Sequence, residues 1–241
     1  MSLSADLCLG TLDRIVERLG LIEAEPRQLD SPFGAVGSQR VFHGPGVSKL
    51  VYIGMTAAQI SLDSHMVFAF TEAHSAIPHF TLDSVQTADP ESGETFYDFH
   101  LDLVKRVDVG MDLAYLDDVY GPVNEAYEAS QELDGLSAAH LSRRQWAVMS
   151  PWMLAHRANA EAFGAIGATV DAYLDQWFAL LGSGGPKDYD GEQLAARDAA
   201  HRAVLFNEDV DPVWAQVKRL VGEDMGEKLR VSLADPDPNV R

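Results

Sequence analysis

Ile77-Pro78-His79-Phe80-Thr81-Leu82-Asp83-Ser84-Val85 is the stretch on which the fold turns. Apolar and polar residues alternate along it and a proline opens it, so it reads as a β-strand. With a period of two, Phe80 and Leu82 share one face and His79, Thr81 and Asp83 the other. A carboxylate in mid-strand is unusual in a packed sheet, because burying an unpaired charge is costly. It is either a solvated or hydrogen-bonded aspartate or a group lining a pocket.

The neighbouring sequence has the same period. Residues 49–55 (KLVYIGM), 66–70 (MVFAF) and 95–104 (TFYDFHLDLV) are further strand candidates, the last after a polar turn at 88–93. Connections this short favour an antiparallel meander over crossovers that need a dozen residues. In 95–104, Tyr97, Phe99, Leu101 and Leu103 share one face, while Phe96, Asp98, His100 and Asp102 share the other. Two adjacent strands thus each pair an apolar face with a face bearing Asp and His. If helices cover that polar face, it becomes the floor of a pocket.

Upstream, residues 7–21 carry apolar positions at helical spacing and end near Gly20, 25–37 read as a loop, and His43-Gly44-Pro45-Gly46 as a turn. Downstream, residues 112–130, 138–148, 159–181, 192–205 and 212–221 read as helices. Gly164 and Gly167 are weak points, Gly182-Ser183-Gly184-Gly185-Pro186 a break, and Pro212 a first-turn residue. The segment 234–241 (ADPDPNVR) reads as a disordered tail. Strands followed by helices predict an α+β fold, a single domain over 1–241, with enough helices to cover the sheet on both sides.

Composition narrows the function. The net charge is −19, from 37 acidic and 18 basic residues, and the basic ones occur as scattered pairs, which argues against nucleic acid and anionic membranes. No apolar run is long enough to span a bilayer. The N-terminal residues lack a signal-peptide pattern, and a single cysteine, Cys8, fits a reducing cytoplasm. The glycine-rich stretches lack nucleotide-binding fingerprints, no histidine pair has metalloprotease spacing, and no Gly-x-Ser-x-Gly elbow occurs. The expectation is no metal and no bound cofactor, with acid–base chemistry by carboxylates and histidines.

Several patches, in order from about residue 48 to 232, resemble the family of ferredoxin-dependent bilin reductases and red chlorophyll catabolite reductase. Pro78-His79-Phe80-Thr81-Leu82-Asp83 is similar to that family's strand ending in a catalytic carboxylate. Leu101-Asp102-Leu103-Val104-Lys105-Arg106-Val107-Asp108 resembles its Leu-Asp-Leu-Pro-x-Arg-x-Asp, with Val104 replacing the proline. Tyr115-Leu116 with Tyr120 matches the following helix, and Ser150-Pro151 with Arg157 its Ser-Pro-x-x-x-Phe-x-Arg, one residue longer here. Arg197-Asp198, Arg202 and Glu208-Asp209-x-Asp211 are similar to the C-terminal segment of the chlorophyll-catabolite branch.

The resemblance implies a three-layer α/β/α sandwich with a central antiparallel sheet. It also implies reduction of a linear tetrapyrrole, a bilin or chlorophyll catabolite, by single-electron transfers from external ferredoxin in a monomer or homodimer. Asp83 becomes the proton donor from the sheet side, a role that partial desolvation of a carboxyl favours. Asp209 becomes a second catalytic acid from the helical side, with Asp211 the better helix cap before Pro212. His65, on the preceding strand, is a third catalytic candidate. Arg157, suited to a propionate, falls with Ser150, His79 and Thr81 among the substrate-binding residues. The pairs Lys105/Arg106, Lys218/Arg219 and Lys228/Arg230 are candidates for a basic patch facing an acidic ferredoxin. A non-catalytic bilin-storage protein on the same fold, and an α+β enzyme acting on another hydrophobic acid, are the competing readings.

Overall fold

The computed structural model describes residues 2–88 and 92–240. Helix α1 (Leu3–Leu19) opens on Ser2, whose hydroxyl accepts from the Ala5 N–H, and closes on Gly20, whose left-handed φ of 64° suits a residue without a Cβ. Strands β1 (Ile22–Glu23), β2 (Arg27–Ser31), β3 (Gly34–Gly44), β4 (Val47–Ala57), β5 (Leu62–Phe70), β6 (His79–Ala88) and β7 (Thr95–Val104) follow. Of the expected turn at 88–93, residues 89–91 lie outside the described residues. Helices α2 (Leu113–Tyr120) and α3 (Asn124–Gln131), strand β8 (Leu136–Ala138), helix α4 (Arg143–Val148) and strand β9 (Leu154–Ala158) come next. The chain continues through α5 (Ala160–Ala165), α6 (Gly167–Ser183), α7 (Gly191–Leu205), α8 (Val213–Val221) and α9 (Glu223–Ala234).

Among the described residues nine strands form one sheet, ordered β1-β3-β4-β5-β6-β7-β9-β8 with β2 also on β3. Every pairing is antiparallel. One face presents Leu50, Val67, Phe80, Leu82, Phe99 and Leu101 to a core shared with α1, α2, α5 and α6. The other presents Val51, Ile53, Phe70 and Val104 to a second core completed by Leu205, Phe206, Trp214, Leu220 and Leu229 of the C-terminal helices. This is the three-layer sandwich, and the alternation in residues 77–85 and 95–104 divides its two cores.

Several elements differ from the sequence reading. The expected loop at 25–37 is the β2–β3 hairpin, an edge ribbon in which Leu29 is the buried residue of β2, so no apolar alternation announces it. The expected helix at 138–148 is the end of β8, a connection, and the short α4, begun by a capping box between Ser142 and Gln145. Strand β9 and helix α9 have no counterpart in the sequence reading. The tail expected to be disordered instead lies on the second core. Carbonyls of Asp235, Asp237 and Val240 accept from the buried Lys49 ammonium, and that of Asp235 also from Arg202.

Candidate active site

The β6–β7 register sets Asp83 opposite His100, and the β5–β6 register sets Met66 beside Asp83. The His100 ring donates Nδ1–H to Asp83 Oδ2 at 2.9 Å. This pair lies on the floor of a cavity of about 240 Å³ between the sheet and the helical layer. Ser64, Met66, Phe68 and Val85 share the floor. Val148 and Met149 at the end of α4, Leu205 and Phe206 at the end of α7, and Asp211, Val213 and Trp214 around the start of α8 form the roof. A mostly apolar cavity with a few convergent polar groups is what small-molecule sites look like.

Electrostatics perturb His100 and Asp211. Burial works against a charged His100, but the charge and hydrogen bond of Asp83, with Asp102 and Asp211 beyond, raise its pKa above the ordinary 6.5. Burial raises Asp211 as well; the Val213 N–H it accepts at 3.0 Å opposes this, and the charge of Asp83 adds to it. The site thus pairs an imidazole that holds its proton with a carboxyl that gives its own up reluctantly. Three polar atoms in or beside this floor and roof, His100 Nε2, Thr81 Oγ1 and Trp214 Nε1, are buried without a hydrogen-bond partner in the protein. Such groups cost stability and need an explanation.

The other expected residues are distributed differently. Asp209 is exposed on an outer groove beside Arg144, Val148 and Val210, outside the cavity. Asp211, read from sequence as only a helix cap, makes that cap-like bond and lines the cavity too. The one residue between them, Val210, is buried and turns the chain inward just before α8 begins at Val213. His65 is on the opposite face of the sheet, because it neighbours the cavity-facing Ser64 and Met66 in a period of two. There its Nε2–H donates to Asp63 at 2.6 Å and its Nδ1 accepts a hydrogen bond from the Tyr52 hydroxyl at 2.7 Å.

His79 and Thr81 share the cavity face of β6 but lie further along it. His79 Nδ1 accepts the Thr71 N–H, so the ring is a neutral Nε2–H tautomer donating to Asp198 at 2.7 Å. Burial and then the charge of Arg106 push its pKa down to about 3. Ser150 is spent on Asp102, which accepts from both its N–H and its hydroxyl. Arg157 is forked onto Asp98 across the β7–β9 ladder, both contacts at 2.9 Å. The expected basic patch does not assemble from its pairs either: Arg106 is buried beside Asp198, Lys218 is ringed by Glu208, Glu223 and Glu227, and Arg230 pairs with Glu227.

His100 was legible as a member of the polar face but not as the partner of Asp83. A one-residue change in the 88–93 turn would place it against a different residue, and the turn's conformation is not written in the composition. Among the described residues no group of three or more His, Cys, Asp and Glu is placed to hold a metal ion.

The class this architecture defines is an antiparallel α/β/α sandwich with a carboxylate–imidazole pocket on one sheet face. Phytochromobilin synthase from tomato, solved in complex with biliverdin, has this fold: it superposes with a TM-score of 0.76 over 98% of this chain and 84% of that one. The two sequences are 17% identical, so the likeness establishes the shared fold. No protein-family model and no curated protein matches the sequence.

Proposed function

We propose that the protein reduces a double bond of a linear tetrapyrrole, taking electrons one at a time from reduced ferredoxin and protons from the Asp83–His100 pair and Asp211. One observation carries the reading: an imidazole–carboxylate pair on the sheet and a second carboxyl on the helical side converge on one apolar cavity. The shared fold with a biliverdin-bound phytochromobilin synthase supports it. An extended conjugated ligand can hold an added electron while a proton is delivered to either side. Reducing one double bond takes two electrons and two protons. Oxidation of two ferredoxins supplies the electrons, and water re-protonates the side chains. The buried donors His100 Nε2–H and Trp214 Nε1–H suit the lactam and ring acceptors of such a ligand.

The cavity is smaller than the roughly 300–1,000 Å³ usual for sites of drug-sized ligands. A tetrapyrrole therefore extends through its mouth or displaces α4, a six-residue helix whose Gln145 and Val148 line the cavity. The deciding experiment is an anaerobic visible spectrum with biliverdin, before and after adding reduced ferredoxin. A bound spectrum that moves to shorter wavelength is expected. Binding with no subsequent change would point to storage, and no binding would remove the tetrapyrrole reading.

A further inference from the structure

Eight of the 18 Lys and Arg residues of this −19 chain are committed. Arg14, Arg40, Arg157, Lys218 and Arg230 pair with carboxylates, and Lys49, Arg106 and Arg202 are buried. The surface between α4 and α7 gathers three of the remaining ten beside the cavity wall. Arg144 and Arg197 are exposed there with no carboxylate partner among the described residues. The half-buried Lys105 adds its charge beside them, its ammonium held by the carbonyls of Ala147 and Met149. Two shallow grooves meet at this place, one lined by Lys105, Arg197 and Val204 and the other by Arg144, Val204 and Asp209. Val204, 45% exposed, is common to both. Val148 and Val210 line the second groove and also the Asp83 cavity, so one layer of side chains separates this surface from the site.

We propose that the α4–α7 surface is where an acidic one-electron carrier protein docks. The inference rests on the reductase reading above and gives that reading a location. A cationic rim around an exposed apolar centre fits the anatomy of a transient interface. The net charge of −19 repels an acidic partner overall, and the cations gathered here offset that repulsion locally. Docking here brings the carrier's metal cluster to the outside of the wall whose inside touches the ligand. Each visit oxidises one reduced iron–sulfur carrier by one electron. Two visits, with one proton each from Asp211 and the His100–Asp83 pair, convert a C=C to CH–CH.

The test measures binding apart from turnover. Calorimetry of the protein with oxidised plant-type [2Fe–2S] ferredoxin at low salt is compared for wild type, the R144E/R197E double variant and an R219E/K228E double variant. The last makes the same charge change on exposed residues of α8 and α9. The expected result is binding that weakens with salt in the wild type and is weaker by about tenfold or more in R144E/R197E, with R219E/K228E close to wild type. No ferredoxin binding by the wild type, no loss in R144E/R197E, or an equal loss in both variants overturns the docking surface. Failure of the reductase reading shows separately, as no biliverdin reduction even with a small-molecule low-potential reductant that needs no docking surface.

Discussion

Asp83, His100 and Asp211 form one electrostatic unit, and substitutions there should separate binding from proton delivery. Asp83→Asn keeps the shape of the floor and removes the charge that holds the His100 proton. It is expected to lower the rate of bilin reduction by about a hundredfold while biliverdin still binds, read as turnover against a visible-spectrum titration. Asp211→Asn should slow reduction by roughly tenfold to a hundredfold, and Asp209→Asn should leave it near wild type. The opposite order would return the second acid to Asp209. The pH profile follows from the raised pKa of His100: activity that needs the imidazolium is present at lower pH and lost as pH rises through a value above 6.5. In Asp83→Asn that alkaline limb should move to lower pH, because the largest cause that raises the pKa is gone. The pair's contribution to stability has the same sign, full below the unfolded value and lost as pH rises through the folded one.

At the scale of elements, β6 is tied to α7 through a buried charge cluster rather than by apolar packing alone. Asp198 is 3% exposed and lies among His79, Arg106 and Arg202, within 2.7, 3.6 and 3.9 Å. Burial disfavours its charge, yet the His79 hydrogen bond and the guanidinium charges win and lower its pKa to about 2. Asp198→Asn leaves buried guanidiniums uncompensated and should cost on the order of 3–5 kcal/mol in urea unfolding at neutral pH. His79 titrates in the other direction from His100. Its pKa falls from 6.5 unfolded to about 3 folded, so between those values the unfolded chain binds the extra proton. Stability should therefore fall as pH drops through that window, and unfolding midpoints at successive pH values would show it. Entry of the ligand beneath α4 predicts that biliverdin changes amide exchange in 143–148 far more than in α6, which packs on the other sheet face.

The whole molecule is closed by its C-terminal strap. Lys49 is fully buried on β4, and its ammonium donates to three carbonyls of residues 235–240. Removing those residues would strand a buried cation beside Arg202. Truncation after Ala234 should cost roughly 1–3 kcal/mol, measured as a lowered melting temperature with the sheet signal intact. Burial, then the charge of Arg202, brings Lys49 down from 10.5 to about 7. From about 7 up to 10.5 the unfolded chain therefore carries the extra proton, and this group's contribution makes stability rise with pH across that interval. No helix among the described residues is long and apolar enough to cross a membrane.

Local pattern alone specifies the central layer and its two faces. Period-two alternation in 77–85 and 95–104 is a local property, and it assigned Phe80, Leu82, Phe99 and Leu101 to one core and Asp83 and His100 to the other face. It also marked α1, α6, α7 and α8, whose apolar spacing and stops are likewise local. What it misread has little apolar pattern or depends on distant partners. The ribbon at 27–44 and strand β9 are recruited by the sheet edges they pair with. The tail is held by a lysine far away in sequence. The site divides along the same line. Asp83 was readable because its neighbours fix its face. His65 lies on the expected strand but on the sheet face away from the cavity, because a single step along a strand reverses the face and a motif match does not resolve single steps. Which of Asp209 and Asp211 enters the cavity was decided by how the chain turns between α7 and α8. That turn is set by burying Val210 in the cavity wall and Trp214 against the second core, which exists only once the helices have packed on the sheet.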